Sequence, residues 1–306
     1  LVENFKVGGL RKFGLDAESL RAACPRLIYA SITGFGQDGP YASRAGYDYI
    51  IQGMGGLMSL TGLPDGEPGG GPMRVRVAVA DLFTGMYTAS TILAALYRRE
   101  QTGEGATIDL ALLDTQLAML ANQASNALVS GTDPVRQGAG HPNIVPYQPF
   151  SASDQPIIVA VGNNRQFARL AAILGHPEWA HDERFGTNAA RVAARGELVP
   201  IIAEIIATRP AGEWLEQLEA AGIPAGPING ISQALADPQA LHRGARISAG
   251  GGVLGEVPMV GSPIRLDGER TDAPLPPPAL GEHGDLLRQW LDEGELERLK
   301  AAGVVG

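Results

Sequence analysis

Between Ala106 and Leu120 the apolar positions change period within one short run. Thr107 to Ala111 alternate apolar and polar in the manner of a half-buried strand, and from Leu112 onward Leu113, Leu117 and Leu120 recur at helical spacing. The pattern predicts a strand that turns directly into a helix, with Asp114 in the helix's first turn. Free backbone N–H groups and the positive end of the helix dipole favour a carboxylate there. A carboxylate fixed and ionised in this way suits a nucleophile. It equally suits an acid that only complements the dipole. The local pattern leaves both readings open.

The same reasoning divides the rest of the chain. Asp16 to Cys24 reads as a short helix with an N-capping aspartate, stopped by Pro25. Leu27 to Ile32 reads as an apolar strand, followed by the glycine-rich turn Thr33-Gly-Phe-Gly-Gln-Asp-Gly-Pro40. Thr84 to Glu100 is predicted as a strong helix, ended by Thr102-Gly-Glu-Gly105. Strands alternating with helices imply an α/β layer with a largely parallel sheet. Past Val129 the texture changes. Gly131 to Pro149 is rich in Gly, Pro, Asn and Gln, as expected of a linker or active-site loop. Pro156 to Val161 reads as a strand, and 164–174, 189–207 and 211–221 read as helices. A proline-rich linker follows Arg265, and Gly284 to Ala302 reads as one closing helix.

These segments give a division into domains. Residues 1–135 and 275–306 form a large α/β domain, 136–150 a linker and active-site loop, 151–264 a smaller α+β domain, and 265–274 a second linker. The last helix is expected to return to the first domain.

Composition narrows the function classes. The 306 residues are 44% hydrophobic and 19% charged, ordinary values for a globular protein. A formal net charge of −9 without a basic stripe argues against general nucleic-acid binding. A single cysteine, Cys24, excludes an internal disulfide and a cysteine-based metal site, and fits a cytoplasmic setting. His176, His181 and His242 lack metal-ligand spacing, so no metal is expected. No apolar run approaches the span of about 18 residues that a membrane helix needs, and no signal peptide is recognised. The chain opens Leu1-Val-Glu-Asn-Phe, without methionine and on what reads as a strand's end. It therefore reads as a piece whose N-terminal part is missing. Such a piece would expose an apolar sheet edge and be poorly soluble.

Candidate chemistry gathers at that first strand end, where open α/β sheets bind ligands. Lys6, Arg11 and Lys12 put cations near the edge, fitting a phosphate-bearing ligand or an ordinary solvated basic patch. His141, in the loop between units, is a candidate general acid or base, or a solvent-facing loop histidine.

Val2-Glu-Asn-Phe5, Pro25-Arg-Leu-Ile-Tyr29, Gly34-Phe35-Gly36, Gly39-Pro40, Gly46-Tyr47-Asp48, Arg99 to Gly105, Ile108-Asp109 to Asp114, Gly226-Pro-Ile-Asn229 and Leu280-Gly-Glu-His283 follow one another in fixed order. In this the chain resembles the family III CoA-transferases, the group of formyl-CoA transferase and carnitine CoA-transferase. The resemblance covers essentially the whole chain and leaves out the family's opening strands. It implies a Rossmann-like large domain with a smaller α+β domain in an interlocked homodimer, and acyl-CoA and a small carboxylic acid as substrates with no prosthetic group. It also places Asp114 on the family's catalytic aspartate, which forms an aspartyl-CoA thioester. Asn4, Phe5 and Lys6 fall beside the CoA nucleotide and Lys12 near the phosphates. Ala45 stands where formyl-CoA transferase has a lysine, so that contact is either lost or moved to Arg44. Tyr47 and Asp48 fall near the acyl group. Formyl-CoA transferase also has a glycine run in the loop between domains; here that loop reads Gly138-Ala-Gly-His-Pro142, poorer in glycine.

Two further distinctions follow from the resemblance. The related α-methylacyl-CoA racemases carry histidine where this chain has Tyr47, and a tyrosine with a pKa near 10 is a poor base at neutral pH. The segments His141 to Gln148 and Val161 to Phe167 look most like the succinate–hydroxymethylglutarate CoA-transferase branch, which moves CoA between dicarboxylic acids. Gly140, His141, Arg136 and Arg165 are then candidates for meeting the acid. A racemase-type isomerase and a non-catalytic CoA-binding subunit are the alternatives.

Overall fold

The computed structural model describes residues 1–251, 254–271 and 275–305, so Pro274 and its two predecessors in the expected second linker lie outside the described residues. Two compact units are present, Leu1–Gly226 and Pro227–Gly306.

The first unit opens with a three-stranded parallel sheet in the order β1 (Val2–Glu3), β2 (Ile28–Thr33), β3 (Ala106–Ala111). β2 and β3 run in register from Ile28 opposite Ala106 to Thr33 opposite Ala111. Between β1 and β2 lies α1 (Ala17–Ala23), whose N-cap Asp16 accepts from Ser19 N at 3.1 Å. Between β2 and β3 lie α2 (Asp48–Met54), α3 (Leu57–Leu60) and the long α4 (Val79–Thr102), which Gly103 ends at φ 77°. Ile92, Ala95 and Leu96 of α4 pack against Ile28, Ala30 and Ile108 of the sheet. α5 (Leu112–Met119) follows β3 without a loop, as the change of period predicts.

A second core in the same unit holds Phe150, Ile157, Val159, Phe167, Leu170, Leu198, Ile202, Trp214 and Leu218. The chain here runs through α6 (Asn122–Ser130), β4 (Tyr147–Ser151), β5 (Pro156–Ala160), α7 (Asn164–Ile173), α8 (Asn188–Ala193), α9 (Arg195–Ile206), α10 (Ala211–Ala220) and β6 (Ala225–Pro227). The core residues just named come from β4, β5, α7, α9 and α10. β4 pairs antiparallel with β5, Tyr147 opposite Ala160.

The second unit contains α11 (Ile231–Ala236), α12 (Pro238–His242), the antiparallel pair β7 (Arg246–Ala249) and β8 (Val257–Val260), the hairpin β9 (Arg265–Leu266) with β10 (Glu269–Arg270), and α13 (Glu293–Ala301).

Several elements differ from the sequence expectation, each for a visible reason. β4 occupies the end of the stretch expected as loop, because prolines 146 and 149 mask its alternation. The expected helix 189–207 breaks at Ala194 (φ −94°, ψ 18°). The closing helix is a 3-10 turn, Gly284–Gln289, and then α13, restarted by Asp292 capping Glu295 N at 2.8 Å. α4 begins five residues before the expected Thr84 and is, by length and composition alone, apolar enough to cross a membrane. This corrects the reading that no such segment exists. In the fold, α4 lies along the parallel sheet.

Candidate active site

The carboxyl ends of all three parallel strands open into one cavity of about 760 Å³. Asn4, Phe5 and Lys6 follow β1, Ile32 to Gly34 end β2, and Leu112 leaves β3. Parallel strands present their carboxyl ends together, which makes this edge the place where such sheets take ligands.

The opposite wall is the segment 42–48. Its position depends on Gly34 and Gly46, whose backbones touch so closely that a Cβ on either would overlap the Cα of the other. Arg44, on that wall, lies over the Tyr41 ring at 3.9 Å, and Tyr41 meets Phe35 edge-on at 5.5 Å. Tyr47, 70% exposed, is the N-cap of α2 and lines the cavity beside Asp48.

Asp48 is fully engaged. Its Oδ1 accepts from Ala80 N at 2.9 Å, capping α4 from across the chain. Its Oδ2 accepts from Gln52 Nε2 at 2.7 Å. Gln52, completely buried, accepts in turn from Val75 N at 2.9 Å and donates to the Val75 carbonyl at 3.2 Å, so the residues leading into α4 are pinned.

One turn of α4 completes the site. Asp81, Thr84 and Gly85 share a helix face, by their spacing of three and four residues, and all three line the cavity. Asp81 has no hydrogen-bond partner among the described residues. Burial, and then the negative charge of Asp48, push its carboxyl above the usual range.

Of the residues expected at the site, Asn4, Phe5, Lys6, Arg44, Tyr47 and Asp48 line this cavity together. Lys12 does not; it sits on a 3-10 turn with its ammonium 4.8 Å from the Phe13 ring. Asp114 is exposed on α5 and does not line the cavity either. Leu112 does, and a residue two positions further is about 200° round the helix. Gly140 lines a different cavity of about 440 Å³, with Gln123 and Asn126 of α6 and Pro142 and Asn143 of its own loop. Beside it His141 Nδ1 accepts from Asn143 N at 3.1 Å, and its ring lies 5.2 Å from that of Tyr147. Arg165 is exposed in the first turn of α7, away from both linings.

Asp81 carries no signal in the sequence. The run Val79-Ala-Asp81 shows no capping residue before it, and the cap comes from Asp48, distant in sequence. Among the described residues no group of three or more His, Cys, Asp or Glu is placed to hold a metal ion.

Two cations, Lys6 and Arg44, aromatic surfaces and a carboxylate without a hydrogen-bond partner among the described residues, all at a sheet's carboxyl edge, fit a nucleotide thioester. Comparison with known proteins agrees: the model of CoA-transferase family III matches residues 1–284, and the chain belongs to that family. It is an enzyme of the CoA-transferase class, with CoA thioesters as substrates. The chain is 50% identical over 283 residues to a succinate–glutarate CoA-transferase of Agrobacterium fabrum, covering 92% of this chain and 70% of that one. It is 39% identical over 307 residues to the mouse succinyl-CoA:glutarate CoA-transferase, covering 99% and 70%. Among solved structures, a CAIB/BAIF family protein from Brucella suis matches with a TM-score of 0.82 at 49% identity, over 95% of this chain and 75% of that one.

Proposed function

We propose that this enzyme moves coenzyme A between a dicarboxylyl-CoA, first of all succinyl-CoA, and a free dicarboxylic acid, with Asp81 as the attacking carboxylate. The substrate class rests on the printed activities of the relatives from Agrobacterium fabrum and mouse. The choice of carboxylate rests on one observation. Asp81 lines the 760 Å³ cavity without a hydrogen-bond partner among the described residues, whereas Asp48 is committed to Ala80 and Gln52 and Asp114 lies outside.

The chemistry follows from a carboxylate facing a thioester. An Asp81 oxygen attacks the acyl carbonyl, the C–S bond breaks, and CoA leaves as thiolate from an acyl-aspartyl anhydride. The thiolate then attacks the aspartyl carbonyl, releasing the first acid and leaving an aspartyl-CoA thioester. The incoming carboxylate attacks that thioester, and the expelled thiolate takes the new acyl group and frees Asp81. Every step exchanges one carboxylate for one thiolate, so no external base or oxidant is needed. Lys6 and Arg44 would hold the CoA phosphates, and Asn4, Phe5 and Tyr47 the rest of the thioester, with Lys12 as an outlying cation.

An isomerase of the racemase type fits the site less well, because Tyr47 occupies the lining and His141 does not. A cytoplasmic location, an interlocked homodimer, and the division into 1–135 with 275–306 against 151–264 belong to the same reading.

The test is intact mass after incubation with succinyl-CoA and hydroxylamine trapping, in wild type, Asp81→Ala and Asp114→Ala. A hydroxamate at Asp81 that survives Asp114→Ala supports the proposal. A hydroxamate at Asp114 moves the nucleophile to α5. Deuterium exchange at the α-carbon without an adduct overturns transfer in favour of isomerisation, and binding without either signal leaves a CoA-binding subunit.

A further inference from the structure

Three side chains form a row across the parallel sheet, one residue before its carboxyl edge. Glu3 of β1 lies opposite Ser31 of β2, and Ser31 opposite Asp109 of β3. Side chains alternate along a strand, so this row is on the face away from α4, which packs on Ile28, Ala30 and Ile108.

Hydrogen bonds join the row end to end. Gln37 donates through its backbone N to Asp109 Oδ2 at 3.0 Å and through Nε2 to Ser31 Oγ at 2.7 Å. Ser31 Oγ donates to Glu3 Oε1, and Phe5 N donates to Glu3 Oε2 at 2.7 Å. Glu3, Ser31, Gln37 and Asp109 are not part of the 760 Å³ lining. Glu3, Ser31 and Gln37 line a separate cavity of about 140 Å³, and Lys6 and Val7 border both.

Two stretches of the thioester cavity depend on this row. Asn4, Phe5 and Lys6 line the cavity but are exposed, so packing does not place them. The bond from Phe5 to Glu3 turns the chain there, and Gly9 N closes the next turn on the Lys6 carbonyl at 2.8 Å. On the β2 side, Gln37 ends the turn that starts at Thr33 and Gly34, where Gly36 N donates to Thr33 Oγ1 at 2.9 Å.

We infer that Glu3 is a positioning residue for CoA. Braced by Ser31 and Gln37, its carboxylate sets Phe5 and Lys6 against the thioester. This rests on the reading of the 760 Å³ cavity as the thioester site. A carboxylate suits the task because both its oxygens accept, so it holds a hydroxyl from β2 and the amide that follows β1 together. A carboxamide offers one acceptor and one donor, and keeps only part of that grip.

The test uses Glu3→Ala, Glu3→Gln, Ser31→Ala and Lys6→Ala, with succinyl-CoA and glutarate as substrates. Hydrogen exchange of the amides 5–7 reports the brace, and steady-state kinetics report its use. Glu3→Ala loses two charge-assisted hydrogen bonds, so it should speed that exchange and raise KM for succinyl-CoA about tenfold while KM for glutarate holds. Glu3→Gln should keep part of both. Unchanged exchange would overturn the brace. A rise in both KM values together would mean general loosening, and would overturn a role specific to CoA. Faster exchange with an unchanged KM for succinyl-CoA also overturns the proposal, and Lys6→Ala then shows how far the failure reaches. If Lys6→Ala raises that KM, the inference about Glu3 alone falls; if it does not, the reading of the cavity falls with it. Should Glu3→Ala fail to fold, Ser31→Ala decides by the same two readouts.

Discussion

Gly34 and Gly46 lie back to back, and their contact sets the width of the CoA-transferase cavity. Gly34 ends β2 and its carbonyl accepts from Leu113 N at 3.1 Å, so one residue ties the start of α5 to the wall that carries Arg44 and Tyr47. The arrangement leaves no room for a methyl group on either partner.

Gly34→Ala or Gly46→Ala should therefore cost about 3 kcal/mol, at the upper end for overpacking, since the obstacle is backbone rather than a side chain that can turn. Thermal unfolding measures the loss. Acyl-CoA binding, followed by calorimetry, should weaken in the same variants.

Gly85 is the opposite case. A Cβ there meets nothing within 4 Å, yet Gly85 lines the cavity. Gly85→Leu should raise stability by about 0.5–1 kcal/mol through helix propensity while its side chain fills the thioester site. An enzyme that gains in melting temperature and loses transfer activity is the expected outcome. Retained activity would show that the thioester lies elsewhere.

For Asp81→Asn, kcat should fall by a factor on the order of 10⁴ or more if its carboxylate forms the covalent intermediate. Asp114→Asn should leave it within about twofold, as an exposed surface change does. The pH dependence has a definite sign. Burial and Asp48 raise the Asp81 carboxyl, so the attacking anion forms only above the ordinary value of 3.8 and the acidic limb of kcat lies above it. A raised folded value also means that ionisation opposes folding. Stability from this group is complete below the unfolded value and is lost as pH rises through the folded one. Asp81→Asn should thus stabilise the enzyme at neutral pH, an advantage that disappears in acid.

Replacing Asp48 by alanine removes the cap on Ala80 and the shortest of the hydrogen bonds that the buried Gln52 donates. A loss of about 2 kcal/mol is expected from the two together. Without the neighbouring negative charge, the acidic limb of kcat should also move to lower pH. A loss of stability with an unmoved limb would show that Asp48 supports α4 without influencing Asp81.

Much of this enzyme was legible before any coordinates. Alternation followed by helical spacing defined β3 and α5, capping by Asp16 defined α1, and Gly103 defined the end of α4, because each signal is carried by neighbours in sequence. The ordered motifs were enough for the family, and six of the expected ligand-binding residues, Asn4, Phe5, Lys6, Arg44, Tyr47 and Asp48, do line one cavity. The tertiary structure decided what depends on distant partners. It started α4 at Val79, because Asp48 caps it from outside, and so it brought Asp81 into a first turn that no local signal announces. It turned Asp114 out of the cavity that Leu112 lines, because helix phase is fixed by which face meets the core and not by spacing alone. It also set Arg195 against Gly140, a contact that depends on how the chain folds back and that no period in the sequence records.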